Sequence, residues 1–130
     1  MTLDDVLHGE VVPGVHVLDD PIDPSDAAER VRARGWTMFH VDGSVVVDKR
    51  SFLAAMAEGC GFPKWFGHNW DALADALRDL SWAPAPGYVV LVDHSARYRA
   101  HTDWPLVTEI FDDVVSRWAE DITPFFFLVR

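Results

Sequence analysis

Two short runs of this chain, Tyr88–Val92 (YVVLV) and Phe125–Val129 (FFFLV), contain only aromatic and aliphatic residues. A strand with one wet face alternates apolar and polar side chains. A strand apolar throughout is buried on both faces, the habit of parallel sheets covered by helices. Between the two runs lies a helical pattern, with Asp103 as its cap and Pro105 in its first turn. It turns Val107, Ile110, Phe111, Val114, Val115 and Trp118 inward. Strand, helix, strand in this order implies a parallel unit with a right-handed crossover.

The rest of the chain extends the same scheme. Trp36–Val41 reads as a third core strand, and Val15–Leu18 as a fourth, N-terminal one. Ser25 caps a helix over Asp26–Arg34 that Gly35 stops, and Ser51 caps another with Phe52, Leu53 and Met56 inward. Val45–Val47 reads as a short extended run, and residues 1–14 as a loosely held arm. The expected fold class is α/β: one domain over residues 1–130, with a small parallel sheet and helices packed against it. At 130 residues such a chain buries roughly two-thirds of its unfolded surface, enough for a real core.

The stretch Phe62–Leu77, FPKWFGHNWDALADAL, carries the strongest functional signal. Asn69 fits an N-cap. Trp70, Leu73, Leu77 and Leu80 then form an apolar stripe, and Asp71, Asp75 and Asp79 fall on the opposite side of the wheel. Like charges four residues apart weaken a helix by a few tenths of a kcal/mol per pair, and Asp is a mediocre helix former. Such a stripe is either a solvated face, with Arg78 neutralising Asp75, or a surface kept for a cationic partner.

Charge and composition narrow the functions. The formal net charge is −10, which argues against direct nucleic-acid binding and against an anionic membrane surface. Cys60 is the only cysteine, so no intramolecular disulfide forms, which fits a reducing cytoplasm. The first residues carry Asp4, Asp5 and Glu10 and lack a signal-peptide pattern, and no segment reaches the ~20 apolar residues of a membrane span. A cytoplasmic location is expected. No cofactor motif is present, and His68, Asp71 and Asp75 make a poor metal set because a useful site needs more ligands and a supporting shell. Asp93-His94-Ser95 follows a strand, but adjacent loop residues rarely face one another as a triad must, and turn and cap chemistry explains Asp93 and Ser95.

The pattern of Trp65, Phe66, Gly67, Asn69, Asp71, Ala72, Leu73 and Asp75 resembles the barstar family of ribonuclease inhibitors. The resemblance runs more weakly from about Phe39 to Arg130, through Val41-Asp42-Gly43, Trp82 and Asp121-Ile122-Thr123. It makes residues 1–38 an N-terminal extension. It implies a small intracellular protein without catalytic activity that plugs the basic cleft of a secreted-type ribonuclease. The implied contacts are Trp65, Phe66, Gly67, Asp71, Ala74, Asp75, Arg78 and Trp82. The position matching Asp75 takes the substrate phosphate site, that matching Asp71 supports it, and that matching Trp65 packs near the catalytic histidine. Three positions depart from the family pattern: Ala74 replaces an interface tryptophan, Arg78 a small polar residue, and His68 an acid. A different cognate nuclease is therefore expected. The alternatives are a module on the same scaffold that binds another basic protein, and a metal-dependent hydrolase using the 71–79 acids.

Overall fold

A computed structural model describes residues 1–130. In chain order the elements are α1 (Leu3–Leu7), β1 (Gly14–Val17), α2 (Pro24–Ala33), β2 (Thr37–Asp42), a 3-10 turn (Gly43–Val45), α3 (Lys49–Cys60), α4 (Trp70–Asp79), β3 (Tyr88–Asp93), α5 (Ala96–Arg99), α6 (Trp104–Ala119) and β4 (Phe125–Val129). The four strands form one sheet in the order β1-β4-β3-β2, and every neighbouring pair is parallel. The fold is α/β, as the apolar runs imply.

Both apolar strands are buried along their whole length. The period of two explains how. Tyr88, Val90 and Val92 of β3, with Phe125, Phe127 and Val129 of β4, face α3, α4 and α6. Phe111 of α6 lies flat on Phe127, ring centroids 3.8 Å apart. The alternate residues, Val89, Leu91, Phe126 and Leu128, face the opposite way into a second core built with α1 and α2. Gly59 sets how closely α3 crosses β2: a Cβ there would sit 2.5 Å from the His40 carbonyl oxygen.

The loose N-terminal arm is a correction. Residues 3–7 form α1, with Thr2 and Asp5 in a reciprocal capping box, and Leu3, Val6 and Leu7 are buried on the sheet. The Met1 amino group pairs with Asp19 at 3.0 Å, and the Asp20 carboxylate accepts from the Leu3 amide at 3.1 Å. Residues 1–35 thus cover one face of the sheet and supply its edge strand.

Smaller differences concern caps. Asp23, not Ser25, caps α2, and Asp48, not Ser51, caps α3. Ser51 occupies the third helical position and returns the bond through its hydroxyl, which is why it resembles a cap. Asp103 stands at the N-cap of α6 but makes no side-chain capping bond. Val45–Val47 is not a strand, because Asp42 accepts from the Ser44 amide and starts the 3-10 turn.

Candidate partner-binding face

α4 follows its sequence closely. The Asn69 side chain accepts from the Ala72 amide at 2.8 Å, as an N-cap should. Leu73, Ala76 and Leu77 are fully buried. The Trp118 indole N–H donates to the Leu77 carbonyl at 2.9 Å and ties α4 to α6. The helix ends at Leu80, whose left-handed backbone (φ 46°) buries its side chain without continuing the helix. Asp71, Asp75 and Asp79 are all exposed. Asp75 pairs with Arg78 at 3.0 Å, an exposed ion pair of the kind worth under ~1 kcal/mol. The Asp79 carboxylate accepts from the Ser81 hydroxyl at 3.0 Å.

The preceding loop is braced from beneath. Phe66 is buried, its ring 4.8 Å from that of Phe62, and its amide donates to the Pro63 carbonyl. The burial of Phe66 anchors the loop, so that what the loop shows to solvent is Trp65 and Gly67 more than the Phe66 ring. His68 takes a left-handed backbone (φ 52°), sets its ring at a tilt against Phe66 with centroids 4.7 Å apart, and bonds the Phe66 carbonyl through Nδ1 at 3.1 Å. Gly67 is exposed, and a Cβ there would lie 3.3 Å from the capping Asn69 amide nitrogen. Trp82 is half-buried: its indole N–H donates to the Cys60 carbonyl at 3.2 Å, and its ring meets Phe62 and Trp65 edge-on. That contact leaves Trp65 57 % exposed on a fixed aromatic base. Ala74 is partly buried against the core, and its carbonyl accepts from Arg78 Nε at 3.2 Å.

The arrangement presents carboxylates on a helix and an exposed indole on the loop that leads into it, the means to hold cations and to cover an apolar or ring surface. Cys60 is fully buried, and that burial pushes its thiol pKa far up and disfavours the reactive thiolate. No three His, Cys, Asp or Glu side chains converge as a metal-ligand set.

A second polar cluster lies at the C-terminal ends of the strands. Arg130 makes a two-pronged contact with Asp93, donating to Oδ1 through Nε and to Oδ2 through Nη2 at 3.3 Å. His40 Nε2 lies 2.6 Å from Asp93 Oδ2, and Arg130 Nη1 donates to the Asp20 carbonyl at 2.6 Å. Burial opposes the Asp93 charge, but the hydrogen bonds from Arg130 and His40 outweigh it and hold the carboxyl pKa below the usual range. Asp93 is therefore a buried hub and not the turn residue its local sequence suggests. The hub ties β2, β3 and β4 to the N-terminal segment. Its partners are 37 and 53 residues away in sequence, so no local pattern reveals it. Ser95 likewise makes no cap bond; its hydroxyl donates to the Arg130 carbonyl at 3.2 Å.

No curated protein matches the chain. Residues 36–130, from the residue before β2 through β4, match the family described as Barstar (barnase inhibitor). The match includes β2, β3, β4, α3, the braced loop and the acid-faced α4, and it takes in about three-quarters of the sequence, so this protein belongs to the barstar family.

Proposed function

We propose that this protein is a non-catalytic inhibitor of a basic, secreted-type ribonuclease, acting in the cytoplasm of the cell that makes the nuclease. The observation that carries this reading is the exposed row Asp71, Asp75 and Asp79 on α4, together with the exposed Trp65 on the loop that leads into that helix. A ribonuclease cleft is lined with cations because it binds a polyanion. Carboxylates spaced along a fixed helix can occupy the phosphate positions, and charge-assisted bonds to Arg or Lys strengthen as the contact excludes water. The opposed charges also steer encounter, an effect best measured on barnase and its inhibitor. Trp65 offers an indole face with Trp82 as its floor, and Gly67 leaves the loop low enough for a partner to approach. Asp75 should bear the largest share of the binding energy, with Asp71, Trp65 and Trp82 around it, since few residues dominate an interface.

The test is inhibition of RNA cleavage. The chain is titrated against barnase and against ribonucleases secreted by its source cell. Stoichiometric 1:1 loss of cleavage for at least one enzyme is expected. Failure to inhibit any of them at micromolar chain would refute the reading.

A further inference from the structure

Arg78 is an oddity on a face meant for cations. Its guanidinium lies along its own helix: Nε donates to the Ala74 carbonyl at 3.2 Å, and Nη2 donates to Asp75 Oδ1 at 3.0 Å. Its five donors thus have two partners within the chain, and the side chain remains 43 % exposed. Asp75, 69 % exposed, keeps its Oδ2 without a partner. Asp71 and Asp79 stand one turn before and one turn after Asp75 on the same side. The face is therefore not a uniform block of negative charge. It presents a carboxylate, then a carboxylate–guanidinium pair, then a carboxylate.

A partner with only cations in its cleft would bury this guanidinium among like charges. Swinging Arg78 aside gives little relief. Its stem stays on the α4 face, and its charge stays within the Debye length of about 8 Å that applies at physiological salt. Asp75 alone would then have to balance both Arg78 and the partner's cations. Desolvating an under-compensated cation is costly, whereas a guanidinium fork meeting a further carboxylate is among the stronger polar contacts.

We infer that Arg78 is a selectivity residue, and that the partner carries a carboxylate placed to meet the Arg78 guanidinium within or at the rim of its basic cleft. This rests on the inhibitor reading above. Asp71, Asp79 and the free oxygen of Asp75 take the partner's cations. Arg78 takes its acid and rejects clefts that lack one.

The test uses the full chain and the ribonuclease that it inhibits in the titration above, barnase being tried first. Affinities of the parent, Arg78→Ala and Arg78→Lys are measured by calorimetry at two salt concentrations. They are crossed with nuclease variants in which each cleft carboxylate is changed in turn to its amide. Expected are at least a tenfold loss for Arg78→Ala, partial rescue by Arg78→Lys, and strong coupling of Arg78 to one nuclease carboxylate. A purely structural role for Arg78 would lower the melting temperature and give no such coupling. Arg78→Ala binding as tightly as the parent or tighter, or additivity with every nuclease carboxylate, overturns the inference and leaves the inhibitor reading standing. If the parent inhibits no ribonuclease, both fall together.

Discussion

Deleting residues 1–35 should abolish the native monomer, although the family match begins only at Trp36. The deletion removes α1, β1 and α2. It uncovers Val89, Leu91, Phe126 and Leu128, each at most 2 % exposed in the intact chain. Fully burying a side chain of this size contributes about 1.5–3 kcal/mol, so the four together lose roughly 6–12 kcal/mol. That is an upper estimate, because an unfolded chain already buries part of this surface. It still rivals the whole stability of an ordinary domain, about 5–15 kcal/mol. The cut also frees the edge of β4, whose FFFLV sequence carries no charge to discourage strand addition. Residues 36–130 expressed alone should be aggregated or unfolded by light scattering and far-ultraviolet circular dichroism. Val6→Asp in the full chain, placing a charge at a fully buried position, should lower the melting temperature sharply. A soluble monomeric 36–130 fragment that melts cooperatively within about 5 °C of the full chain (a shift near 1 kcal/mol) would refute this reasoning.

Two further outcomes are expected. Gly59→Ala should destabilise by about 1–2 kcal/mol in urea unfolding. The gain of up to ~1 kcal/mol in helix propensity is outweighed, because the new methyl meets the His40 carbonyl at 2.5 Å and a Val41 methyl at 2.8 Å; a stabilised variant would contradict the close crossing. Asp93→Asn should cost about 3 kcal/mol or less at neutral pH, since Arg130 would lose its counter-ion at a mostly buried position. The Asp93 carboxyl pKa is depressed in the fold, so its stabilising contribution is complete above the ordinary carboxylate value of ~3.9 and fades as pH falls through the lower folded value. The gap in melting temperature between parent and variant should therefore shrink below about pH 4, and a constant gap down to pH 2 would show that Asp93 is not held ionised.

Legibility in the sequence followed the range of the interaction. β3 and β4 were readable because burial on both faces leaves an uninterrupted apolar run, and α4 because its cap and apolar stripe lie within twelve residues of one another. The pairing of Asp75 with Arg78 was readable for the same reason, being three residues apart on one helix. α1 escaped because five residues are too few for a helical period to stand out, though Thr2 and Asp5 spell a capping box just ahead of Val6 and Leu7. Val45–Val47 misled because a β-branched run reads as extended, while the turn is decided by the Asp42 carboxylate upstream. The burial of Phe66 was not legible, because it depends on Phe62 packing beneath the loop and not on any local pattern. Asp93 was beyond local reading, since its environment is assembled from β2, β4 and the Asp20 loop.

The central claim, that the acid row of α4 enters a ribonuclease cleft, is tested most directly by one comparison. Parent and Asp75→Ala are titrated against the ribonuclease that the parent inhibits, with thermal unfolding of both recorded in parallel. Asp75 is exposed and makes only a surface ion pair, so the variant should melt within a degree or two of the parent. Its affinity should fall at least a hundredfold, about 2.7 kcal/mol, because the nuclease cations are left buried without a partner and Arg78 is left without its counter-ion. A folded Asp75→Ala that inhibits as tightly as the parent would place the interface elsewhere and reduce the acid row to a solvated helix face.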